Sequence, residues 1–272
     1  MDTGEILDGA FTLYRRHPGA FLLAGALPLL PLLAAWGWLA VDAWRGGAYG
    51  EAQADGLLAL ALLGGWLPAT LTRAAVIRMA DDAQMGRAVR PRSALGDSVR
   101  ALPAALRAGG VTSGLVALPL CAGMALLSAL AWGGMGAAYW VTFLLMWLTP
   151  AALAAPWFGT LPAVVLEGAG GHAARMRSWT LTRAAPGTVA AVWGVTFLLA
   201  WLPWVATGAL LVATGAGLAN GTQVVLWLGL CQAAGAVSVP LVAAARTLLF
   251  NDLRVRAEPL DVRLLTERLA AA

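Results

Sequence analysis

The sequence predicts an all-α polytopic membrane protein. Six transmembrane helices form three parallel in–out–in hairpins, each preceded by a cytoplasmic interfacial amphipathic helix. Three observations predict it. The first is composition: 272 residues are 60% hydrophobic and 12% charged, with a mean hydropathy of +0.75, whereas a soluble domain carries about 25% charge. Several apolar runs reach the roughly 20 residues that cross a bilayer as a helix. The second is an internal repeat. Phe11–Gly19 (Phe-Thr-Leu-Tyr-Arg-Arg-His-Pro-Gly) and Trp179–Gly187 (Trp-Thr-Leu-Thr-Arg-Ala-Ala-Pro-Gly) share Thr, Leu, Arg, Pro and Gly at an offset of 168 residues. A third Arg-x-x-Pro core, Arg100 to Pro103, lies almost midway, and each copy precedes an apolar run. The third is the placement of arginine, taken up after the elements.

The elements follow in order. Residues 3–16 put Ile6, Leu7, Ala10, Phe11, Leu13 and Tyr14 on one helical face and Asp8, Arg15 and Arg16 on the other, as in an interfacial helix. The acidic residues Asp2, Glu5 and Asp8 before the first apolar run argue against a signal peptide, which opens on basic residues. The first span is 21–41, with Pro28 and Pro31 as expected kinks and Trp36, Trp38 and Trp44 as an aromatic belt at its far end. A polar loop is expected over Asp42–Gly56. The second span is 57–77, with Arg73 in its last turn. A basic stretch from Arg78 to Arg107 holds the second interfacial helix, 93–107, on the spacing of Leu95, Val99, Leu102 and Leu106.

The third span is 109–132 and the fourth 137–158, separated by Gly133, Gly134 and Gly136. A further apolar stretch, Leu161–Leu166, ends at Glu167 and a glycine cluster. The third interfacial helix is 172–183, with Met176, Trp179, Leu181 and Thr182 toward the membrane. Spans five and six are 188–211 and 222–245. The membrane domain is thus 1–246, and 247–272 is a cytoplasmic tail in which Asp261 caps a last amphipathic helix.

All 18 basic residues are arginine, as a GC-rich coding bias produces. On this map 17 of them fall on one side and Arg45 alone on the other. The positive-inside rule then places both termini in the cytoplasm. The copies share one orientation, so the repeat is parallel and not inverted. The expected location is a bacterial inner membrane, with several passes.

Little chemistry is on offer inside the spans. Arg73 apart, spans one to six carry no Asp, Glu, Arg, Lys or His, and midplane charges are the usual mark of coupled transport. Thr142, Thr196, Gln223, Gln232 and Ser238 suit helix–helix hydrogen bonds. Gly110-x-x-x-Gly114 and Gly217-x-x-x-Gly221 permit close helix approach, a spacing common by chance among 32 glycines. Cys121 and Cys231 lie in apolar runs and His17 and His172 stand singly, so no metal or cofactor is expected. No catalytic constellation can be named.

Two further stretches carry a resemblance. Glu167-Gly168 followed by Arg177-Ser178-Trp179-Thr180-Leu181-Thr182-Arg183 is similar to an E-G … R-S-W-x-L-T-R motif. Thr247-Leu248-Leu249-Phe250-Asn251-Asp252-Leu253-Arg254-Val255-Arg256-Ala257-Glu258, then Asp261, is similar to T-L-L-Y-x-D-L-R-x-R-x-E-G-x-D. Both belong to a prokaryotic membrane-protein family resembling the membrane domain of glycerophosphodiester phosphodiesterase and its stand-alone relatives. Pro259 replaces the usual Gly, and Ala184-Ala185 replace bulkier residues. In the phosphodiesterases a soluble barrel performs hydrolysis, and no such domain lies in these residues. The resemblance therefore implies fold and topology, not that activity.

The expected function is a non-enzymatic scaffold or accessory subunit. Its partners would be membrane lipids, through anionic headgroups at the cytoplasmic face, and a protein, but not nucleic acid. A transporter or lipid-handling protein with a path between the hairpins is the alternative; a membrane-embedded enzyme is a third. The candidate interaction residues are Arg15, Arg100, Glu167, Ser178, Trp179, Arg183, Asp252, Arg254, Arg256, Glu258 and Asp261. Glu167 is read as a partner of Arg175, Arg177 or a helix N-terminus, or else as a contact to a headgroup. The alternating charges from Asp252 to Glu258 are expected to pair with each other, or with Arg177 and Arg183.

Overall fold

The computed structural model describes residues 1–45, 51–132, 152–213 and 221–257, with isolated positions between 138 and 149. Among these the fold is all-helical: α1 (Thr3–Arg16), α2 (Pro18–Trp44), α3 (Glu51–Gln84), α4 (Pro91–Trp132), a 3-10 turn (Ala155–Trp157), α5 (Thr160–Glu167), α6 (Gly171–Ala184), α7 (Pro186–Ala213) and α8 (Gly221–Ala257). Among the described residues three stretches are long and apolar enough to cross a membrane: Pro18–Asp42, Pro186–Thr207 and Val225–Ala257.

Proline opens α2, α4 and α7 as their first residue, where its missing N–H costs no helical bond. The residue before it acts as the pivot. The His17 carbonyl accepts the Phe21 N–H at 3.2 Å, and the Ala185 carbonyl accepts the Val189 N–H at 3.1 Å. The 168-residue offset extends to burial. Ile6, Ala10, Phe21 and Ala24 are buried, and so are Ala174, Ser178, Val189 and Val192.

The second copy differs from the expectation. The stretches read as an interfacial helix (93–107) and a third span (109–132) are one unbroken helix, α4, and Pro103 lies inside it. The following residue supplies the reason. Gly19 and Gly187 follow the helix-opening prolines, while Ala104 and Ala105 follow Pro103, and Ala favours helix over Gly by about 1 kcal/mol.

Other boundaries are also corrected. The polar loop read over 42–56 is mostly helical, because α2 runs to Trp44 and α3 begins at Glu51. Arg73 stands well inside α3, which continues to Gln84, and not in a last turn. No boundary separates a sixth span from a tail near 246: α8 runs on to Ala257, since no glycine or proline interrupts Leu241–Ala257. The apolar stretch after Phe158 is the separate helix α5. Most of the fourth span, the Gly-rich turns around 134 and 217, and the helix expected after Asp261 lie outside the described residues.

The chain forms two compact units. One holds Asp8–Leu102 and Thr196–Ala245. In it the Thr72 hydroxyl donates to the Ala24 carbonyl at 3.0 Å, tying α3 to α2. A Cβ added to Gly25 would run into the Ala236 carbonyl of α8, and one at Gly65 would lie 2.7 Å from Gln232 Nε2. These glycines let α2 and α3 approach α8 closely, whereas Gly110 and Gly114 face open space. Trp36, expected in an aromatic belt, is instead core: it packs with Val225 and Leu228, while Trp38 is outward, at 68% exposure.

The other unit holds Met1–Leu7, Pro103–Val195 and the chain from Arg246 on. Here α5, α6 and the end of α8 meet around Gly159, where an added Cβ would lie 2.9 Å from the Phe250 ring.

Candidate functional site

The site grows from the turn between α5 and α6. Gly168, at φ +66°, ends α5 in the left-handed conformation that glycine adopts without strain. Gly170 is extended and starts α6. This tight reversal sets Glu167, at the end of α5, beside Arg177 of α6.

The Arg177 guanidinium grips the carboxylate with two nitrogens: Nε lies 3.1 Å from Oε2, and Nη2 donates to Oε1 at 3.2 Å. Such forked pairing fixes direction as well as charge. Arg254, from the end of α8, closes on the same carboxylate with Nε 3.0 Å from Oε1. Its guanidinium also lies 5.7 Å from the Phe250 ring centre. One carboxylate thus holds two cations. All three side chains are between 19% and 27% exposed, so water screens them only in part.

The next layer is Ser178, which is fully buried. Its hydroxyl accepts the Gly159 N–H at 3.0 Å and donates to the Pro156 carbonyl at 2.8 Å. Thr182 adds a second hydroxyl to that carbonyl at 3.1 Å. The two satisfy the irregular 3-10 turn that α6 packs on. Trp179 stacks on Trp157 with ring centres 6.2 Å apart, and the exposed Arg183 lies 4.8 Å over the Trp179 ring.

The end of α8 is braced similarly. Asp252 is 7% exposed; its carboxylate meets the Met1 ammonium at 2.7 Å and Arg256 Nε at 2.9 Å. Arg256 also donates to the Met1 carbonyl. Arg246 lies 4.1 Å from the centre of the Trp193 ring of α7.

No family model, curated protein or solved structure matches this chain.

Of the candidate residues, Glu167, Ser178, Trp179, Arg183, Asp252, Arg254 and Arg256 come together in this one unit. Glu167 meets Arg177 as one of its sequence readings had it, but Arg254 as its second cation was not foreseen, and Arg183 lies against Trp179. Arg15 and Arg100 belong to the other unit. Arg15 is exposed, and Arg100 pairs with Asp97 at 3.3 Å on the surface. Glu258 and Asp261 lie outside the described residues. Pro156, Trp157, Gly159 and Phe250 were missed. The first three sit in an apolar stretch with no periodic polar partner, so nothing local marks them as the surface that Ser178 and Trp179 meet.

Chemically the arrangement is a brace. Its carboxylates, hydroxyls and peptide groups are engaged with one another, and Arg183 and the paired Arg256 are exposed.

Proposed function

We propose that the chain is a non-enzymatic integral protein of the bacterial inner membrane, a scaffold or accessory subunit. It crosses the bilayer six times in three in–out–in hairpins with both termini cytoplasmic. Its arginine-rich face holds anionic lipid headgroups and docks a partner protein. The motif likeness to the membrane domain of glycerophosphodiester phosphodiesterase is consistent with that topology.

The division of charge carries the lipid-binding part. Five carboxylates pair with arginine: Glu167 with Arg177 and Arg254, Asp252 with Arg256, Asp81 and Asp82 with Arg87, and Asp97 with Arg100, while Asp2, Glu5 and Asp8 near the N-terminus are exposed. Arg15, Arg16, Arg90, Arg92 and Arg183 are exposed and, among the described residues, have no carboxylate within 4.0 Å. Arginine left over in this way favours an anionic surface by about 1 kcal/mol each.

The distribution of apolar groups supports the membrane. Small side chains pack inward (Ala94, Ser98, Ala105 and Ala108 on α4), while Leu198, Leu202 and Val205 on α7 are more than half exposed. That inversion suits helices whose outer solvent is lipid.

Reporter fusions test the topology. Fusions after Gly50, Gly134 and Asn220 are expected to report the periplasm, and fusions after Arg90, Gly171 and Ala272 the cytoplasm. One site on the wrong side breaks the six-span arrangement. Fusions that all agree, together with equal retention of the protein on anionic and zwitterionic vesicles, would leave the topology and remove the lipid role.

A further inference from the structure

Between the end of α3 and the first turns of α4 the chain carries four arginines with two different fates. Arg87 is pinned by two carboxylates, with Nε 2.7 Å from Asp82 and Nη2 2.7 Å from Asp81. Arg100 pairs with Asp97. Arg90 and Arg92 are exposed and have no carboxylate within 4.0 Å among the described residues.

These two free arginines line an open cleft of about 440 Å³, together with Val89, Pro91, Ser93 and Leu23 of α2. The Ser93 hydroxyl donates to the Arg90 carbonyl at 3.0 Å, which holds the segment folded at the mouth. The cleft thus brings two arginines together with apolar residues of α2 and of the α3–α4 connection. The apolar lining continues along α2. Leu23, Leu27 and Leu30 recur at i, i+4 and i+7 and are 41%, 45% and 52% exposed, so they form one outward stripe.

We propose that this cleft is a binding site for one anionic glycerophospholipid. Arg90 and Arg92 hold the phosphate, and an acyl chain lies along Leu23, Leu27 and Leu30. A guanidinium pair matches phosphate oxygens in charge and geometry. The leucine stripe that leads from the mouth favours a lipid over free phosphate, which has no use for an apolar track. The assignment rests on the reading of α2 as a membrane-crossing helix.

The test uses the full chain purified in mild detergent, with bound lipid counted by native mass spectrometry. Phosphatidylglycerol is expected to bind more tightly than phosphatidylcholine. The double variant Arg90→Ala/Arg92→Ala is expected to weaken phosphatidylglycerol roughly thirtyfold, about fivefold for each arginine. Arg90→Lys/Arg92→Lys, which keeps the charge, should recover most of that loss. Arg15→Ala/Arg16→Ala removes the same charge from a surface without the cleft and should change this binding by less than about threefold. A six-carbon-chain phosphatidylglycerol should bind at least tenfold more weakly than the long-chain lipid.

Equal losses in the two alanine pairs would overturn the site and leave a general basic surface. Equal affinity for short and long chains, or displacement by millimolar inorganic phosphate, would overturn the lipid assignment. Alkaline carbonate extraction of membranes separates the two levels of the argument. Protein released into the supernatant defeats the membrane reading itself, whereas protein retained in the pellet that binds lipid independently of Arg90 and Arg92 defeats only this site.

Discussion

Pro18 and Pro103 follow the same Arg-x-x pattern, and the chain treats them differently. At Pro18 one helix ends and another begins; at Pro103 the helix continues. Pro186 behaves like Pro18. A proline removes one backbone donor wherever it stands, so the proline alone does not decide. Its neighbours do. Gly19 and Gly187 lower the local helix preference, and Ala104 with Ala105 raise it. The surroundings of each copy differ too. Behind the third copy lies the charged and hydroxyl network of Glu167, Arg177, Ser178 and Arg254. In the second copy the polar contacts near the proline are local and stand at other places of the repeat: the Ser98 hydroxyl donates to its own Ala94 carbonyl at 2.6 Å, and Asp97 pairs with Arg100 three residues on. A motif therefore marks a place in the chain, while the packing partner sets what that place contributes.

The largest expected effect tests this difference in charge pairing. Glu167→Gln leaves two half-buried guanidiniums without their counter-charge and is expected to cost about 2–4 kcal/mol. Asp97→Asn, at the exposed pair, should cost less than about 0.5 kcal/mol. Denaturant or thermal unfolding in one detergent measures both, and equal losses would break the comparison.

The serines come next. Ser178→Ala orphans the Gly159 N–H and one bond to the Pro156 carbonyl, for an expected loss of about 1–3 kcal/mol. Ser98→Ala removes only a bond back to its own helix and should lie within about 0.5 kcal/mol of the parent. The same unfolding measurement decides, and a Ser98 variant as damaging as the Ser178 variant would contradict the contrast.

The proline junctions themselves come third. Ala104→Gly should destabilise α4 by about 1 kcal/mol and lower its helicity, moving Pro103 toward the behaviour of Pro18. A Cβ at Gly19 or Gly187 meets nothing within 4 Å, so Gly19→Ala and Gly187→Ala should gain up to about 1 kcal/mol. Circular dichroism with unfolding midpoints reads both directions, and a loss at Gly19 would show that the junction needs its glycine.

The smallest effect concerns Tyr14, whose ring lies 5.6 Å from Phe21 across the Pro18 break. Among the described residues its hydroxyl is buried without a hydrogen-bond partner, and burial pushes the phenol upward. The neutral phenol is thus favoured in the folded chain. That stability is present below the ordinary tyrosine range and is lost as the pH rises through the raised value. Tyr14→Phe should be neutral to stabilising by up to about 1 kcal/mol, and it should remove this alkaline loss. An unfolding series between neutral and alkaline pH is the check, and an unchanged pH slope would remove Tyr14 from the account.

Much of this protein was legible in the sequence. The apolar composition pointed to long apolar helices, and three of those among the described residues are long and apolar enough to cross a membrane. The repeat at 168 residues located two proline turns, because a helix start depends on four or five neighbouring residues. Leu95, Val99, Leu102 and Leu106 were read as the apolar face of an interfacial helix; the residues buried against the protein on α4 are Ala94, Ser98, Ala105 and Ala108, and Val99 is 58% exposed. Large apolar groups mark a core only where water is outside. Where lipid is outside, small residues pack and large ones face out.

What the tertiary structure alone decided is the pairing. The residues around Glu167 and those around Arg254 could be singled out as motifs, but nothing in either stretch said that they share one carboxylate. The hydroxyl of Ser178 could be expected to find a partner, but the partner is a turn made by Pro156 and Gly159. Local preference acts over one helical turn, whereas these contacts join residues 19 to 87 positions apart, and only the packing of helices fixes which of many available polar groups meet.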